Sequence, residues 1–120
     1  MPARSDVLAD RLYGYREIKV TVIGRKSERV ISIPVWFVLE GDHLYLLPVH
    51  GSDTPWYKNV LKNPSIRIEA GGAETEFTAV PITDCGHVSP IVEKFRAKYG
   101  ADDVAKYYSK LDVAVLAQAR

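Results

Sequence analysis

Apolar and polar side chains alternate in the first apolar stretch of the chain. In IKVTVIG, residues 18–24, every second side chain from Ile18 is apolar, which is the period of a half-buried strand. The next segment, RVISIPVWFVLE at residues 29–40, is apolar at nearly every position, so it predicts a central strand covered on both faces. Pro34 cannot donate to a ladder, so one side of this strand is expected to be unpaired, bulged or facing a ligand there.

Turn residues and helical spacing predict the elements in the middle of the chain. Gly41 and Asp42 join the second strand to LYLLPV, residues 44–49, as a hairpin. HGSDTPWYKNVLKNP then predicts a short helix with Pro55 in its first turn. Its predicted apolar face consists of two pairs spaced by one turn, Trp56 with Val60 and Tyr57 with Leu61.

The last part of the sequence predicts a second hairpin, two helices and a final strand. SIRIEAG and TEFTAVPIT are strands joined through a turn at residues 71–73. SPIVEKFRAKYG predicts a helix that starts at Ser89, carries Pro90 in its first turn and ends at Gly100. DDVAKYYSK predicts a second helix, and LDVAVLAQ at residues 111–118 predicts the closing strand.

The order of these elements predicts a mainly β fold with small helices. About six strands are connected mostly by hairpins, with one small helix after the third strand and a helical pair before the last. Because few helices are present to cover the sheet, its edges are hidden most easily if it curls into a small antiparallel barrel. We therefore predict a six-stranded antiparallel barrel that occupies residues 1–120 as one domain.

Composition and charge limit the classes of function. The 120 residues are 47% apolar and 26% charged, as is usual for one soluble globular domain. A formal charge of +1 implies no global attraction to nucleic acid. No apolar run approaches the roughly 18 residues of a membrane span, and the first residues lack a signal-peptide pattern. With a single cysteine, Cys85, the sequence predicts a cytoplasmic protein without an integral membrane segment.

Two segments are candidate sites for an anionic ligand. In the turn GRKSER, the side chains of Arg25, Lys26, Ser27 and Arg29 could hold a phosphate, although a solvated hairpin tip is the simpler interpretation. In HGSDTPWYKN, a helix N-terminus offers free amides to an anion, and the alternative is a plain loop whose tryptophan anchors the core.

Other motifs carry less chemistry. Cys85 and His87 lack a third ligand at matching spacing, so no metal site is predicted. No nucleophile elbow or Ser/His/Asp arrangement supports covalent hydrolysis. Tyr99, Tyr107 and Tyr108 are expected to pack in the core, although Tyr107 or Tyr108 could hydrogen-bond a substrate.

Residues 20–82 resemble the deazaflavin-dependent nitroreductases and related flavin or deazaflavin oxidoreductases of the split β-barrel fold. The resemblance rests on GRKSERVISIPVWFV and on GDHLYLLPVHGSDTPWYKNVLKNPSIRI in this order. That family similarly carries a GRKSG-like turn, a strand with a proline, and a loop that leads to P-x-W-Y-x-N-L-x-x-N-P. Here Glu28 replaces the usual glycine, and His50 stands in for a lysine. The resemblance implies a six-stranded antiparallel split barrel of the FMN-binding, pyridoxamine phosphate oxidase-like type.

The resemblance also implies where a cofactor would bind. Its phosphate-bearing tail would lie against the first turn, and its tricyclic ring along the proline-containing strand. The implied tail residues are Arg25, Lys26, Ser27 and Arg29. The implied ring residues are Ser32, Ile33, Pro34 and Val35. The segments that would close the other side contribute Val49, His50, Gly51, Ser52, Trp56, Lys58 and Asn59.

The implied activity is hydride transfer from coenzyme F420, a deazaflavin, to a small organic acceptor such as an activated alkene or a nitro compound. Tyr107 or Tyr108 would donate a hydrogen bond to the developing negative charge. Three alternatives remain: an FMN-binding oxidoreductase that forms a homodimer, a non-catalytic carrier of a flavin or deazaflavin, and a small barrel that binds nucleic acid or protein through the Arg25 turn. Near-neutral charge and the lack of an exposed aromatic platform disfavour the last alternative.

Overall fold

Six antiparallel strands close into a barrel. The structure is a computed structural model that describes residues 17–24, 29–40, 43–70 and 73–119. Around the barrel the strands follow the order β1-β2-β3-β6-β5-β4, and every neighbouring pair is antiparallel. The strands are β1 (Glu17–Ile23), β2 (Val30–Glu40), β3 (His43–Leu46), β4 (Ser65–Ala70), β5 (Ala73–Ile82) and β6 (Ala114–Ala119). The predicted six-stranded antiparallel barrel is confirmed.

Three α-helices in the described residues accompany the barrel. They are α1 (Pro55–Lys62), α2 (Cys85–Tyr99) and α3 (Ala101–Tyr107), and a short 3-10 turn, Gly51–Asp53, precedes α1. Their positions confirm the predicted small helix after the third strand and the helical pair before the last strand. None of these helices is long and apolar enough to cross a bilayer.

The core consists of two apolar clusters on opposite sides of the barrel wall. Inside the barrel, the alternate residues Ile18, Val20 and Val22 of β1 are buried, which confirms the predicted two-residue period. Outside the barrel, α2 and α3 pack on β2, β3 and β6, and Phe95 and Val104 are fully buried there. β2 contributes to both clusters, so it separates the two.

The sequence predicted that the second strand is covered on both faces, but the structure shows that its first half is exposed. Its second half is largely buried, but Val30 is 71% exposed and Ile31 is 38% exposed. Apolar side chains there have no helix packed over them in the described residues, so hydrophobicity alone overestimates the burial of this half.

Two helical predictions need correction. α2 begins at Cys85, with Asp84 as its N-cap, rather than at Ser89. The helix passes through Pro90, whose fixed φ is close to the helical value, although proline cannot donate a hydrogen bond to the carbonyl oxygen of Gly86. Leu61 of α1 is 54% exposed and does not belong to the buried face, which contains Trp56, Tyr57, Asn59 and Val60.

Candidate functional site

β2 changes partners halfway along its length. β1 pairs with residues 30–36 of β2, whereas pairing with β3 begins only at Phe37. Among the residues that the structure describes, no strand therefore lies beside the edge of β2 that faces away from β1, over residues 30–35. This open edge is the feature around which the site is built.

The backbone direction at the open edge follows from one turn contact. The amide of Gly24 donates to the carbonyl oxygen of Arg29 at 2.8 Å, so Arg29 points its backbone groups toward β1. Because this direction alternates along an antiparallel strand, Val30, Ser32 and Pro34 point theirs toward the open edge. Pro34 has no amide hydrogen and leaves no unsatisfied donor there, which confirms the predicted unpaired side at this proline.

A cavity of about 580 Å³ lies against this edge. Seven of the residues predicted to bind a cofactor or substrate line it: Ile33, Pro34, Val35, Val49, Trp56, Tyr107 and Tyr108. Three elements supply these side chains, namely β2, the segment from Val49 into α1, and the end of α3. The structure thus brings together predicted residues that are far apart in the sequence: Ile33 and Tyr108 are separated by 75 positions.

Aromatic side chains form the wall of the cavity next to α3. The indole of Trp36 stacks on the ring of Tyr99 with centroids 4.1 Å apart, and the Tyr107 ring meets it edge-on at 5.5 Å. Tyr108 lies 5.9 Å from the same indole and is 6% exposed. Burial, with a further contribution from Tyr99, raises the pKa of the Tyr108 hydroxyl above its usual value. Its hydroxyl is therefore protonated at neutral pH and can donate a hydrogen bond.

Side chains of α2 close the other free edge of β2. The Tyr99 hydroxyl accepts a hydrogen bond from the Phe37 amide at 3.1 Å and donates to the Phe37 carbonyl oxygen at 3.0 Å. The ammonium of Lys98 donates to the same oxygen at 2.9 Å. Tyr99 therefore does what a strand partner would do, and its hydroxyl is not directed at a ligand.

The loop between β3 and α1 is fastened to the segment after α3. The Ser52 amide donates to Oδ1 of Asp112 at 3.0 Å, and the Ser52 hydroxyl donates to Oδ2 at 2.6 Å. Burial acts to raise the pKa of the Asp112 carboxyl, but the Ser52 hydrogen bonds and the Lys110 ammonium outweigh it, so that the pKa is lowered. The Ser52 amide, which the sequence analysis considered as a donor to a ligand anion, therefore already donates to a carboxylate of the chain itself.

Gly51 is required at the centre of this loop for two reasons. Its φ is +55°, a value that favours glycine, and a Cβ at this position would lie 2.0 Å from Oδ1 of Asp112. The neighbouring His50 amide donates to the Thr54 hydroxyl at 2.8 Å, and Nδ1 of His50 lies 2.7 Å from the Ser109 hydroxyl. These contacts hold the loop that carries Val49 into the cavity.

The other predicted site residues lie around the cavity and do not line it. Arg29 is exposed at the start of β2, and the Ser32 hydroxyl hydrogen-bonds the Thr21 hydroxyl at 2.8 Å. In α1, Lys58 is exposed and Asn59 is buried. Arg25, Lys26 and Ser27 lie outside the described residues, and so does Glu28.

Three lining residues were not predicted from the sequence: Glu17, Trp36 and Leu47. The side chain of Trp36 points out of the barrel, as every second side chain of β2 does. The alternation of the strand could therefore have predicted its position. Glu17 is the register partner of Trp36 on β1. Finding it required the pairing of the two strands, which the sequence alone predicted only in outline.

Comparisons with known proteins agree with this fold. The model of a family described as an uncharacterized protein conserved in bacteria (DUF2255) matches residues 9–116. No curated protein matches the sequence.

Three solved structures illustrate the likeness. An F420-H2 dependent reductase, FDR-A, has a TM-score of 0.66 at 18% identity over 86% of this chain and 94% of its own. A putative pyridoxamine 5'-phosphate oxidase from Listeria innocua has a TM-score of 0.69 at 16% identity, over 96% and 91%. HutZ, a heme storage protein from Vibrio cholerae, has a TM-score of 0.71 at 12% identity, over 100% and 92%. Likeness at this identity shows the fold, and it confirms the predicted split barrel of the pyridoxamine phosphate oxidase-like type.

Proposed function

We propose that this chain, which belongs to the DUF2255 family of uncharacterized proteins conserved in bacteria, is an oxidoreductase that holds coenzyme F420 against the open edge of β2. One observation carries the proposal: the cavity at this edge is lined by Ile33, Pro34 and Val35, the strand residues beside which the family resemblance would place a deazaflavin ring. The similarity of the fold to that of an F420-H2 dependent reductase supports the same assignment.

The walls of the cavity suit a flat, fused ring. Indole and phenol rings from Trp56, Tyr107 and Tyr108 surround it together with aliphatic side chains. Such a cavity buries an aromatic ligand and leaves a few polar groups to orient it. The backbone groups of Ser32 and Pro34 at the open edge supply an N–H and two carbonyl oxygens for the polar rim of the ring.

The tail of the cofactor would leave the cavity toward the start of β2. Arg29 is exposed at that end, next to the turn that contains Arg25 and Lys26 in the sequence. A guanidinium binds phosphate through charge-assisted hydrogen bonds. The Gly51–Ser52 loop is the weaker candidate for the tail, because a phosphate there would have to compete with the carboxylate of Asp112.

A bound deazaflavin or flavin supplies the hydride itself, so the protein needs to bind, orient and exclude water rather than to provide a nucleophile. In this chain Tyr108 is the better-placed hydrogen-bond donor, because it is 6% exposed and water competes less for its hydroxyl. Tyr107 is 51% exposed and lies at the mouth of the cavity. We assign Tyr108 to the acceptor and Tyr107 to the covering of the site.

FMN in the same cavity is the first alternative, since its ring and phosphate make the same demands on the walls and on Arg29. Heme is less well matched to this lining, because the only heme-ligand types among its described residues are Tyr107 and Tyr108, and burial raises the pKa of Tyr108 and so disfavours the phenolate that binds iron. A carrier that binds the cofactor without turnover differs from the enzyme only in the transfer of hydride to an acceptor.

We also propose that the chain forms a homodimer through the exposed part of β2. Val30 is 71% exposed and Ile31 is 38% exposed, and they adjoin the open edge. Exposed apolar side chains next to an unpaired edge favour association with another molecule. Light scattering after size exclusion, with Val30→Lys as the variant, tests the dimer: the variant should be a monomer.

Titration of the purified full chain with oxidised F420 and, separately, with FMN tests the proposed function. Cofactor absorbance and fluorescence should change in a saturable way with one of the two. Arg29→Ala should weaken this binding by about tenfold, the value of one charge-assisted hydrogen bond. Arg67→Ala, which removes an exposed arginine of β4 outside the cavity, should leave binding unchanged. Turnover of a nitro compound or an activated alkene with the reduced cofactor then separates an enzyme from a carrier.

Binding of neither cofactor would contradict the proposal. Equal loss of affinity in Arg29→Ala and Arg67→Ala would show that the cofactor is attracted by general charge rather than held at the start of β2.

A further inference from the structure

Opposite charges lie near the two ends of the half of β2 that borders the cavity. Arg29 precedes β2 at one end, and Glu17 is the register partner of Trp36 at the other. Val30 and Trp36 are six positions apart along the strand, which places the two ends about 20 Å apart. An anionic tail near Arg29 therefore points the remainder of a bound molecule toward a carboxylate.

The carboxylate of Glu17 is the one charged group among the described residues that line the cavity. The described residues give it no hydrogen bond and no ion pair. Lys19, two residues along the same face of β1, lies opposite Pro34 and does not reach it. Among the described residues, therefore, none competes with a ligand for the Glu17 carboxylate.

Four aromatic rings share the cavity with this carboxylate, those of Trp36, Trp56, Tyr107 and Tyr108. The face of an aromatic ring attracts a cation, and several rings around a carboxylate are an arrangement that binds organic cations. The chain itself shows this attraction at a ring of the cavity, since the ammonium of Lys106 lies 5.3 Å from the centroid of the Tyr107 ring.

We propose that Glu17 and the aromatic walls of the cavity select a substrate that carries a positively charged nitrogen, such as a quaternary ammonium or a protonated heteroaromatic ring. The inference rests on the proposed function and names the class of acceptor that it uses. Among acceptors of equal size, the cation binds more tightly than the carboxylate or sulfonate.

Two probes with the same benzyl group and opposite charge test this selection. Benzyltrimethylammonium and benzylsulfonate are titrated into the purified full chain, and binding is followed by calorimetry and by tryptophan emission. The emission reports on the cavity directly, because the sequence contains two tryptophans, Trp36 and Trp56, and both line it.

The cation should bind more tightly than the sulfonate and shift the emission. Glu17→Gln should weaken binding of the cation by roughly fivefold, which corresponds to one partly exposed ion pair, without weakening binding of the sulfonate. Glu74→Gln is the matched control, since it removes an exposed carboxylate of β5 outside the cavity, and it should change neither affinity.

Absence of binding by the cation, equal affinity for the two probes, or an unchanged cation affinity in Glu17→Gln would each overturn the inference. These outcomes are separate from the titration with F420 and FMN. If a cofactor binds and the cation preference is absent, only the selection by Glu17 is wrong; if neither cofactor binds, the proposed function is wrong whatever the probes do.

Discussion

β2 has two stretches of edge that no described strand pairs with, one in each half, and they differ in what satisfies the backbone. Over residues 37–40 the strand pairs with β3, and on its other side Tyr99 and Lys98 satisfy the backbone of Phe37. Over residues 30–35 the strand pairs with β1, and its other side borders the cavity. An unpaired strand edge must be satisfied by something. Among the described residues, the chain thus supplies its own partner in one half and leaves the other half open to the cavity, where we propose that a cofactor binds.

Phe37→Ala gives the largest expected difference between the two halves. Phe37 is 1% exposed in the barrel core, so its truncation should lower the free energy of unfolding by about 3–5 kcal/mol. Ile31→Ala in the open half is the matched change and should cost less than about 1 kcal/mol. Urea unfolding followed by circular dichroism measures both, and similar losses would break the comparison.

Gly51→Ala tests the loop that borders the open half. A Cβ there meets Oδ1 of Asp112 and the backbone has a positive φ, so the substitution should cost about 2–3 kcal/mol. Gly86→Ala is the control, because Gly86 lies in α2 without a positive φ and the atoms nearest to the added Cβ belong to the Asp84 side chain, so it should cost less than about 1 kcal/mol. Thermal unfolding of the two variants gives the order; an equal loss at Gly86 would show that the Asp112 contact and the positive φ of Gly51 are unimportant.

Tyr99→Phe tests the closed edge without changing the packing of the ring. Removing the hydroxyl leaves the buried amide of Phe37 without its partner, so the free energy of unfolding should fall by about 1–3 kcal/mol. Tyr107→Phe removes a hydroxyl from a half-exposed ring and should change it by less than about 0.5 kcal/mol. Chemical denaturation distinguishes them, and an unaffected Tyr99→Phe would mean that water replaces the hydroxyl at this edge.

Asp112→Asn sharpens the comparison through its pH dependence. Because the pKa of the Asp112 carboxyl is lowered in the folded chain, its contribution to stability is present above the unfolded value of about 4 and is lost as pH falls through the folded pKa. The free energy of unfolding, measured with urea, should be about 1 kcal/mol lower for Asp112→Asn than for the wild type at pH 7. This difference should shrink at pH 3. A difference independent of pH would contradict the role of the charged carboxylate.

Pro34→Ala should have the smallest effect on stability. The open edge offers no carbonyl partner from a neighbouring strand in the described residues, so the new amide faces the cavity, and the free energy of unfolding should change by less than about 1 kcal/mol. Differential scanning calorimetry provides the measurement. A strongly destabilised variant would indicate that Pro34 holds β2 in shape and is not merely permitted at an open edge.

Local patterns predicted most of the fold. The two-residue period of β1 is visible within a few residues, so this strand was predictable. Pro34 has no amide hydrogen, so the unpaired side of β2 at this residue was predictable as well. The start of α2 was not, because Pro90 favours a helix that begins one residue before it, whereas the buried Val88 belongs to an apolar stripe that begins earlier. Local chemistry alone does not decide between these two signals.

Contacts between distant residues were beyond the reach of the sequence. Asp112 fastens Ser52 from 60 positions away, and Tyr99 binds the backbone of Phe37 from 62 positions away. Neither pair carries a local motif, and both depend on how the strands and helices pack. The sequence therefore predicted candidate residues along β2 and the loop, but not that Asp112 already occupies the Ser52 amide.

Amide hydrogen exchange along β2, measured with and without F420 or FMN, tests whether the cofactor ring lies against the open edge. The amides of Val30 and Ser32 point toward the open edge, and those of Val38 and Glu40 toward β3. We expect a bound cofactor to slow exchange at Ser32 and to leave exchange at Val38 and Glu40 unchanged. A cofactor that binds without slowing exchange at Ser32 would contradict this placement, because the ring would then lie elsewhere.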